Sequence, residues 1–435
     1  MRSKLPKVLH LLSGRPLIQY PLDSMRGLTA NPPVVVIGHG ADQVKQMVGE
    51  AARFVIQQPQ LGTAHAVMTA ELLLKAEADF VLVTYADMPL VRPETIRQLT
   101  EAQLTNSGPI TMLTSFNEDP RGFGRIVRAD DGSVQAIVEE AVATQEQLSI
   151  HELNLGIYCF KAAWLWKALK QVKVSPKGEY YLTDVVAIAR EDGLKVQAII
   201  LPDFSEAIGI NTRVHLAEAE ALLKQRINRQ WMEFGVSIID PASTYIGPAV
   251  SIGRDTTIEP NSHLRGDTVV GEETTIGPNC IIEDAIIGSR CTILASVIEK
   301  AVVEDDVSIG PFAHLRKGSH LMQGVHIGNF GEVKDSILRL GVKMGHFSYI
   351  GNADIGDNTN IGAGTITCNF DGMHKHQTVI GANAFIGSDT MLVAPLNIGE
   401  NARTGAGSVV TKDVPAGEVV VGVPAHPYRK VKKSD

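Results

Sequence analysis

From residue 246 onward an aliphatic side chain recurs every six positions, at Ile246, Ile252, Ile258, Leu264, Val270 and Ile276, often with glycine next in sequence. The register resumes at Val303, Ile309, Leu315, Leu321, Ile327 and Val333, and again at Ile380, Ile386, Leu392 and Ile398. A helix stripe repeats at about 3.6 residues and a strand face at about two, so a period of six fits neither. It predicts the hexapeptide repeats of a parallel β-helix, in which three hexads close a triangular coil and each aliphatic residue fills the interior. Residues 246–412 make about nine coils of ~18 residues. Glycine after the core residue suits a tight corner, where a side chain clashes or φ is unusual. The rule breaks between Ile366 and Ile380, a spacing of 14, where the loop TCNFDGMHKHQTV (367–379) leaves the prism. Loops on a rigid scaffold are where binding residues concentrate, and a tolerated surface insertion is the alternative.

The first half obeys a different grammar. Only 15 of the 40 glycines precede residue 241, and all three tryptophans (Trp164, Trp166, Trp231) do. Short β-branched runs at 34–37, 54–56, 80–83 and 110–115 alternate with helical stretches such as 63–76 and 93–104, the rhythm of an α/β sheet. A helix over 212–234 follows, with Thr212 as N-cap, Gly235 as stop, and Leu216, Leu223, Ile227, Trp231 and Phe234 along one side. The expected organisation is 1–211 as one domain, 212–240 as a linker helix and 241–435 as the β-helix.

Composition narrows the function. Forty Lys and Arg against 48 Asp and Glu give a net charge of −8, with one short basic block, RKVKK (429–433), at the C-terminus. That argues against a nucleic-acid binder, which gains affinity by neutralising phosphates. No apolar run approaches the ~20 residues that cross a bilayer, and MRSKLPKVLH lacks a signal peptide's apolar stretch, so a cytoplasmic protein without membrane partners is expected. Cys159, Cys280, Cys291 and Cys368 form no CxxC pair and read as reduced thiols.

Along nearly its whole length the chain resembles the bacterial bifunctional N-acetylglucosamine-1-phosphate uridylyltransferase / glucosamine-1-phosphate N-acetyltransferase family. The matching segments are LPKVLH (5–10), QLGTAHA (60–66), YADMPL (85–90), GFGRI (122–126), GEYYLTD (178–184), the hexad register, GHFSYIG (345–351) and NIGAGTITCNFDG (360–372). The resemblance implies a Rossmann-like α/β nucleotidyltransferase domain followed by a left-handed parallel β-helix, a homotrimer, and two reactions that supply UDP-N-acetylglucosamine for cell-wall synthesis. Acetyl-CoA acetylates glucosamine-1-phosphate. UTP then transfers its uridylyl group to N-acetylglucosamine-1-phosphate with release of pyrophosphate, chemistry that rests on positioning and charge neutralisation. A single-activity sugar-nucleotide pyrophosphorylase, its β-helix only an oligomerisation platform, and a scaffold with decayed sites are the alternatives.

For the uridylyltransferase site, the resemblance assigns Mg²⁺ to Asp87 and Asn211, hard oxygen ligands at the end of FVLVTYAD. Lys7 is placed near the phosphates, Gln57, Gly62 and Thr63 at uracil, and Tyr85, Ala86, Gly124, Glu139 and Asn154 around the nucleotide and sugar. From residue type alone Asp87 reads as a strand-end turn residue and Lys7 as a surface charge. Ala86 stands where the family usually has glycine. The family also begins with a strand and a loop LAAGxGTRM, of which Met1 matches the final methionine; this implies either a start-site truncation or weak or absent uridylyl transfer and hence an acetyltransferase alone.

For the acetyltransferase site, Arg316 and Lys334 each follow a core residue and lie 18 apart. One coil separates them, so the two cations stack about 4.8 Å apart and repel unless an anion joins them, a solvated basic face being the alternative. The family match gives that anion as the sugar phosphate. The resemblance makes His346 the general base, a role that suits a neutral imidazole. It also puts Tyr349 and Asn360 on the sugar, Asn369, Phe370, Ala363, Ser388 and Ala406 along acetyl-CoA, and Lys375 on substrate from the loop. Phe370 replaces a common tyrosine, and an arginine expected near Gly422 is missing. His314, His320 and His326 invite comparison with hexapeptide-fold metalloenzymes, but their spacing of six sends them to different faces, pointing outward.

Overall fold

The computed structural model describes residues 1–430, so residues 431–433 of the basic block lie outside the described residues. The chain divides into two compact units, Met1–Leu222 and Leu223–Asp435, inside the long helix Arg213–Phe234. Thr212 Oγ1 accepts the His215 N–H at 3.1 Å, which caps that helix.

In the first unit the β-branched runs at 34–37, 53–56, 80–83 and 110–116 are strands. They do not form one sheet. Val34–Ile37 and Arg53–Ile56 make a separate parallel pair, while a six-stranded mixed sheet is built around the ten-residue strand Glu152–Lys161. This strand is buried over nine residues and runs antiparallel to Ile110–Phe116 on one edge. On its other edge it changes partner: Phe80–Val83 pairs with Tyr158–Lys161, whereas Arg125 pairs with Leu153. The stretch between these two pairings opens the sheet, as ligand clefts do where strand order switches. Its alternation of polar and apolar residues around Gly156 concealed this strand in the sequence.

The second unit is a three-sided prism of strands, mostly two or three residues long, stacked in faces of 12, 10 and 9, all parallel except the last, His426–Lys430, which runs antiparallel to Glu418–Val421. Its first strand, Ser237–Ile238, falls inside the stretch expected as linker. The inward residues never lose register. Ile282, Ile287, Ile293 and Ile298 bridge the apparent lapse after Ile276, all at most 1% exposed. The period was masked because some corners are one residue short. Each short corner passes a left-handed residue (Asp284, Ala295, Lys300, Asp335, Asn352) and then a buried Ala or Ser (Ala285, Ser296, Ala301, Ser336, Ala353). A small side chain lets the backbone turn inward there without filling space needed by the core.

One further expectation needs correction, and one is met by the clash it named. Thr367, not Ile366, takes the inward position before the loop, with Leu392 as its partner on the next coil; Ile366 pairs outward with Met391. The glycines after core residues act mainly by steric relief: a Cβ on Gly381 would lie 2.5 Å from the Glu400 backbone nitrogen. Leu315 is fully buried between Ile298 and Val333 of adjacent coils. Leu315→Ala should therefore cost about 2–5 kcal/mol, read as a lower urea midpoint with the loop and outer faces unchanged.

Candidate functional sites

The opening in the first sheet is a cleft of about 380 Å³. Thr63, Tyr85, Asp87, Gly124, Glu139, Asn154 and Asn211 line it, together with Arg121, Tyr181 and Thr183, which sequence reasoning missed. Asn154 Oδ1 accepts the Gly156 N–H and the Tyr158 hydroxyl, so its side chain is fixed at the partner switch. Gly156, at φ +73°, is required by packing: a Cβ there would stand 2.3 Å from the Tyr85 ring. Burial, with Glu139 and Asp87 adding to it, pushes the Tyr85 phenol up to about 12, so it stays a neutral donor. Burial first and Glu139 second also raise Asp184. Thr183 Oγ1 donates to Glu139, which orients that carboxylate. Gln57 and Gly62 meet at the start of helix Thr63–Thr69, where Gln57 Nε2 donates to the Gly62 carbonyl at 2.9 Å; neither lines the cleft, nor does Ala86.

Asp87 Oδ2 and Asn211 Oδ1 converge on one cation, the Lys7 ammonium, at 2.5 and 2.8 Å. Two hard oxygens around a common positive centre fit Mg²⁺, which completes its shell with water and phosphate oxygens. No cluster of three or more His, Cys, Asp or Glu suited to a metal occurs among the described residues.

The second site lies on one prism face and its bordering corner. Outward residues His314, Glu332, Tyr349 and Ile366 stack on successive coils, and beside them run Arg316, Lys334 and Gly351. The cation pair is therefore stacked as the spacing predicts, with one addition. Arg316 bonds Glu332 at 2.8 Å, a partner missed although it directly precedes core residue Val333. Lys375 reaches in from the loop, and the Lys334 ammonium is pushed down by Lys375 first and Arg316 next. Positive charge is thus in excess where an anion fits. A Cβ on Gly351 would meet the Tyr349 hydroxyl at 2.4 Å and Asn369 Nδ2 at 2.8 Å, so glycine permits these groups to converge. Asn369 is buried and donates to Asn352 Oδ1 at 2.7 Å.

At the corner leading into this face, His346 is exposed and makes no side-chain hydrogen bond among the described residues. The strand registers place Ala363, Ser388 and Ala406 directly beyond it on the next three coils. One imidazole thus heads a run of small side chains about three strand spacings (~14 Å) long, a line along which a trough can form. Asn360 is not brought together with Arg316, Lys334 and Tyr349: it pairs with Lys343 and Phe385 on a different face. His314, His320 and His326 also occupy three different faces, bonded to Glu299, Glu304 and Ser308. All four cysteines are free thiols.

A nucleotidyltransferase unit joined to a hexapeptide-repeat transferase unit is the class that this fold and these sites define. The chain matches the MobA-like NTP transferase domain family over residues 1–233 and the bacterial transferase hexapeptide (six repeats) over 249–284 and 377–412, which makes the prism a left-handed β-helix. Proteins named "Bifunctional protein GlmU" are similar along almost the whole chain. The one from Heliobacterium modesticaldum is 47% identical over 97% of this chain and 92% of its own length. Those of Exiguobacterium sibiricum and Geobacillus thermodenitrificans are 45% identical over 95% and 93%, and 46% identical over 97% and 92%. The chain belongs to this bifunctional GlmU family.

Proposed function

We propose that the chain performs both reactions of UDP-N-acetylglucosamine formation, one in each unit. The observation that carries this reading is that the chain is 47% identical to a bifunctional relative over 97% of its length, with Asp87, Asn211, Tyr85, Glu139 and Asn154 around one cleft and Arg316, Lys334 and Tyr349 on one prism face.

In the prism, Arg316, Lys334 and Lys375 hold the phosphate of glucosamine-1-phosphate, and Tyr349 and Asn360 orient the sugar. An imidazole nitrogen of His346 takes a proton from the 2-amino group as it attacks the thioester carbonyl; the C–S bond then breaks and the imidazolium returns that proton to the departing sulfur, so that coenzyme A leaves as the thiol. Asn369, Phe370, Ala363, Ser388 and Ala406 line the acetyl-CoA path. Asn360 faces another side of the prism, which fits a homotrimer in which a neighbouring copy completes the site. In the cleft, Gln57, Gly62 and Thr63 read uracil, while Tyr85, Ala86, Gly124, Glu139 and Asn154 enclose the nucleotide and sugar. Lys7 moves onto the phosphates when Asp87 and Asn211 hold the metal. Bound there, Mg²⁺ supplies charge neutralisation as the sugar phosphate attacks the α-phosphorus of UTP. No described helix is long and apolar enough to cross a membrane. The cytoplasm is the compartment that supplies both UTP and acetyl-CoA.

Two assays on the purified chain test this reading: free thiol from acetyl-CoA and glucosamine-1-phosphate, and pyrophosphate from UTP and N-acetylglucosamine-1-phosphate. Both products are expected, and a chelator should stop the second while sparing the first. Thiol alone would leave an acetyltransferase only; pyrophosphate alone would leave a pyrophosphorylase on a structural β-helix. With neither product, the scaffold reading would stand.

A further inference from the structure

The loop between Cys368 and Thr378 is a small hairpin closed by the Phe370–Lys375 bridge and by the His376 N–H donating to the Asn369 carbonyl at 2.8 Å. Asp371 ties its interior together. Oδ1 accepts the Met373 and His374 backbone N–H groups, both at 2.7 Å, and Oδ2 accepts the His376 Nε2–H at 2.7 Å. Those contacts, led by the His374 N–H, hold the Asp371 carboxyl well below the usual carboxylate range. No apolar packing substitutes for them: residues 370–375 are all exposed. Yet this hairpin carries Lys375, whose charge, ahead of that of Arg316, pushes the Lys334 ammonium down, an arrangement that like charges oppose.

We propose that Asp371 and His376 are positioning residues for acetyl transfer: they brace the hairpin so that Lys375 is already presented, before substrate arrives, to the anion that Arg316 and Lys334 also face. The inference rests on the reading of those three cations as the sugar-phosphate site. Without the brace the hairpin is free to swing its cation into water, and each binding event must then restore order that the folded loop otherwise carries in advance. The root of the hairpin is anchored separately by Asn369 on Asn352, so the defect should be confined to its tip.

A double-mutant cycle on the full chain decides the matter, using thiol release with glucosamine-1-phosphate and acetyl-CoA varied in turn. Asp371→Ala should raise the KM for glucosamine-1-phosphate about tenfold, with kcat within about threefold and the KM for acetyl-CoA unchanged, the size expected from losing a few charge-assisted hydrogen bonds. His376→Gln should give a smaller rise of the same kind. In a Lys375→Ala background, Asp371→Ala should add less than about twofold, because both changes remove the same presented charge. Equal effects of Asp371→Ala in both backgrounds would overturn the proposal, as would a loss of kcat or a matching rise for acetyl-CoA. If Lys375→Ala itself left the KM for glucosamine-1-phosphate unchanged, the phosphate reading of Lys375 would fall and the brace with it.

Discussion

His346→Ala is expected to reduce thiol release by about 10²–10⁴-fold, the usual worth of a positioned general base. The attacking amine of glucosamine-1-phosphate must shed a proton as it bonds to the acetyl carbon. The neighbouring imidazoles are placed or engaged elsewhere: His314 is on this face but two coils away and paired with Glu299, His374 and His376 belong to the loop hairpin, the latter bonded to Asp371, and His320 and His326 sit on other faces. The fold should not register the change. His346 is exposed and its side chain bonds nothing among the described residues, whereas the adjoining core residues Met344 and Ile350 are fully buried. Thermal unfolding should stay within a degree or two of the parent, since exposed substitutions away from special features cost about 0.5 kcal/mol or less. The KM for glucosamine-1-phosphate should also hold, because the phosphate contacts are left in place. Full activity in this variant would remove His346 as the base.

Asp87→Ala should lower pyrophosphate release from UTP on the order of 10²–10³-fold, the range for losing one preorganised charge-stabilising group. Asp87 supplies the only charged oxygen of the Asp87–Asn211 pair, and Lys7 would be left with Asn211 as its one described partner. Its backbone carbonyl still accepts the Ile210 N–H at 2.9 Å, so the turn after strand Phe80–Val83 should persist. Calorimetric titration with Mn²⁺ provides a readout independent of turnover, and binding should be lost in the variant. Acetyl transfer by the same molecules is the internal control. Unchanged Mn²⁺ binding would exclude Asp87 as a ligand.

The prism was legible because its core is one-dimensional: each coil repeats the same demand for an inward aliphatic residue, and sequence periodicity records that demand directly. Where the record faltered, the cause was local geometry. The five-residue steps at Asp284, Ala295, Lys300, Asp335 and Asn352 shift the phase, and Thr367 fills a core position with a hydroxyl that bonds backbone groups of the preceding coil. Arg316 and Lys334 could be placed together from spacing alone, whereas Lys375 arrives through a loop that no periodicity governs. The first unit was less readable. Short parallel-type runs announced strands, but the strand Glu152–Lys161, which creates the cleft by changing partners, carries Glu, Asn and Gly among its apolar residues. Asp87, Asn211 and Lys7 are over 200 residues apart at their extremes, and only the fold closes that distance.

The line of small side chains that begins at His346 advances through Ala363, Ser388 and Ala406 one coil at a time. Its length is consequently quantised. Adding or deleting a whole winding would leave every interior contact type intact while moving the far end by a single rung of ~4.8 Å. A scaffold of this kind offers evolution a ruler with fixed graduations, on which the reach of a long acyl carrier can be reset without disturbing the imidazole at its zero mark.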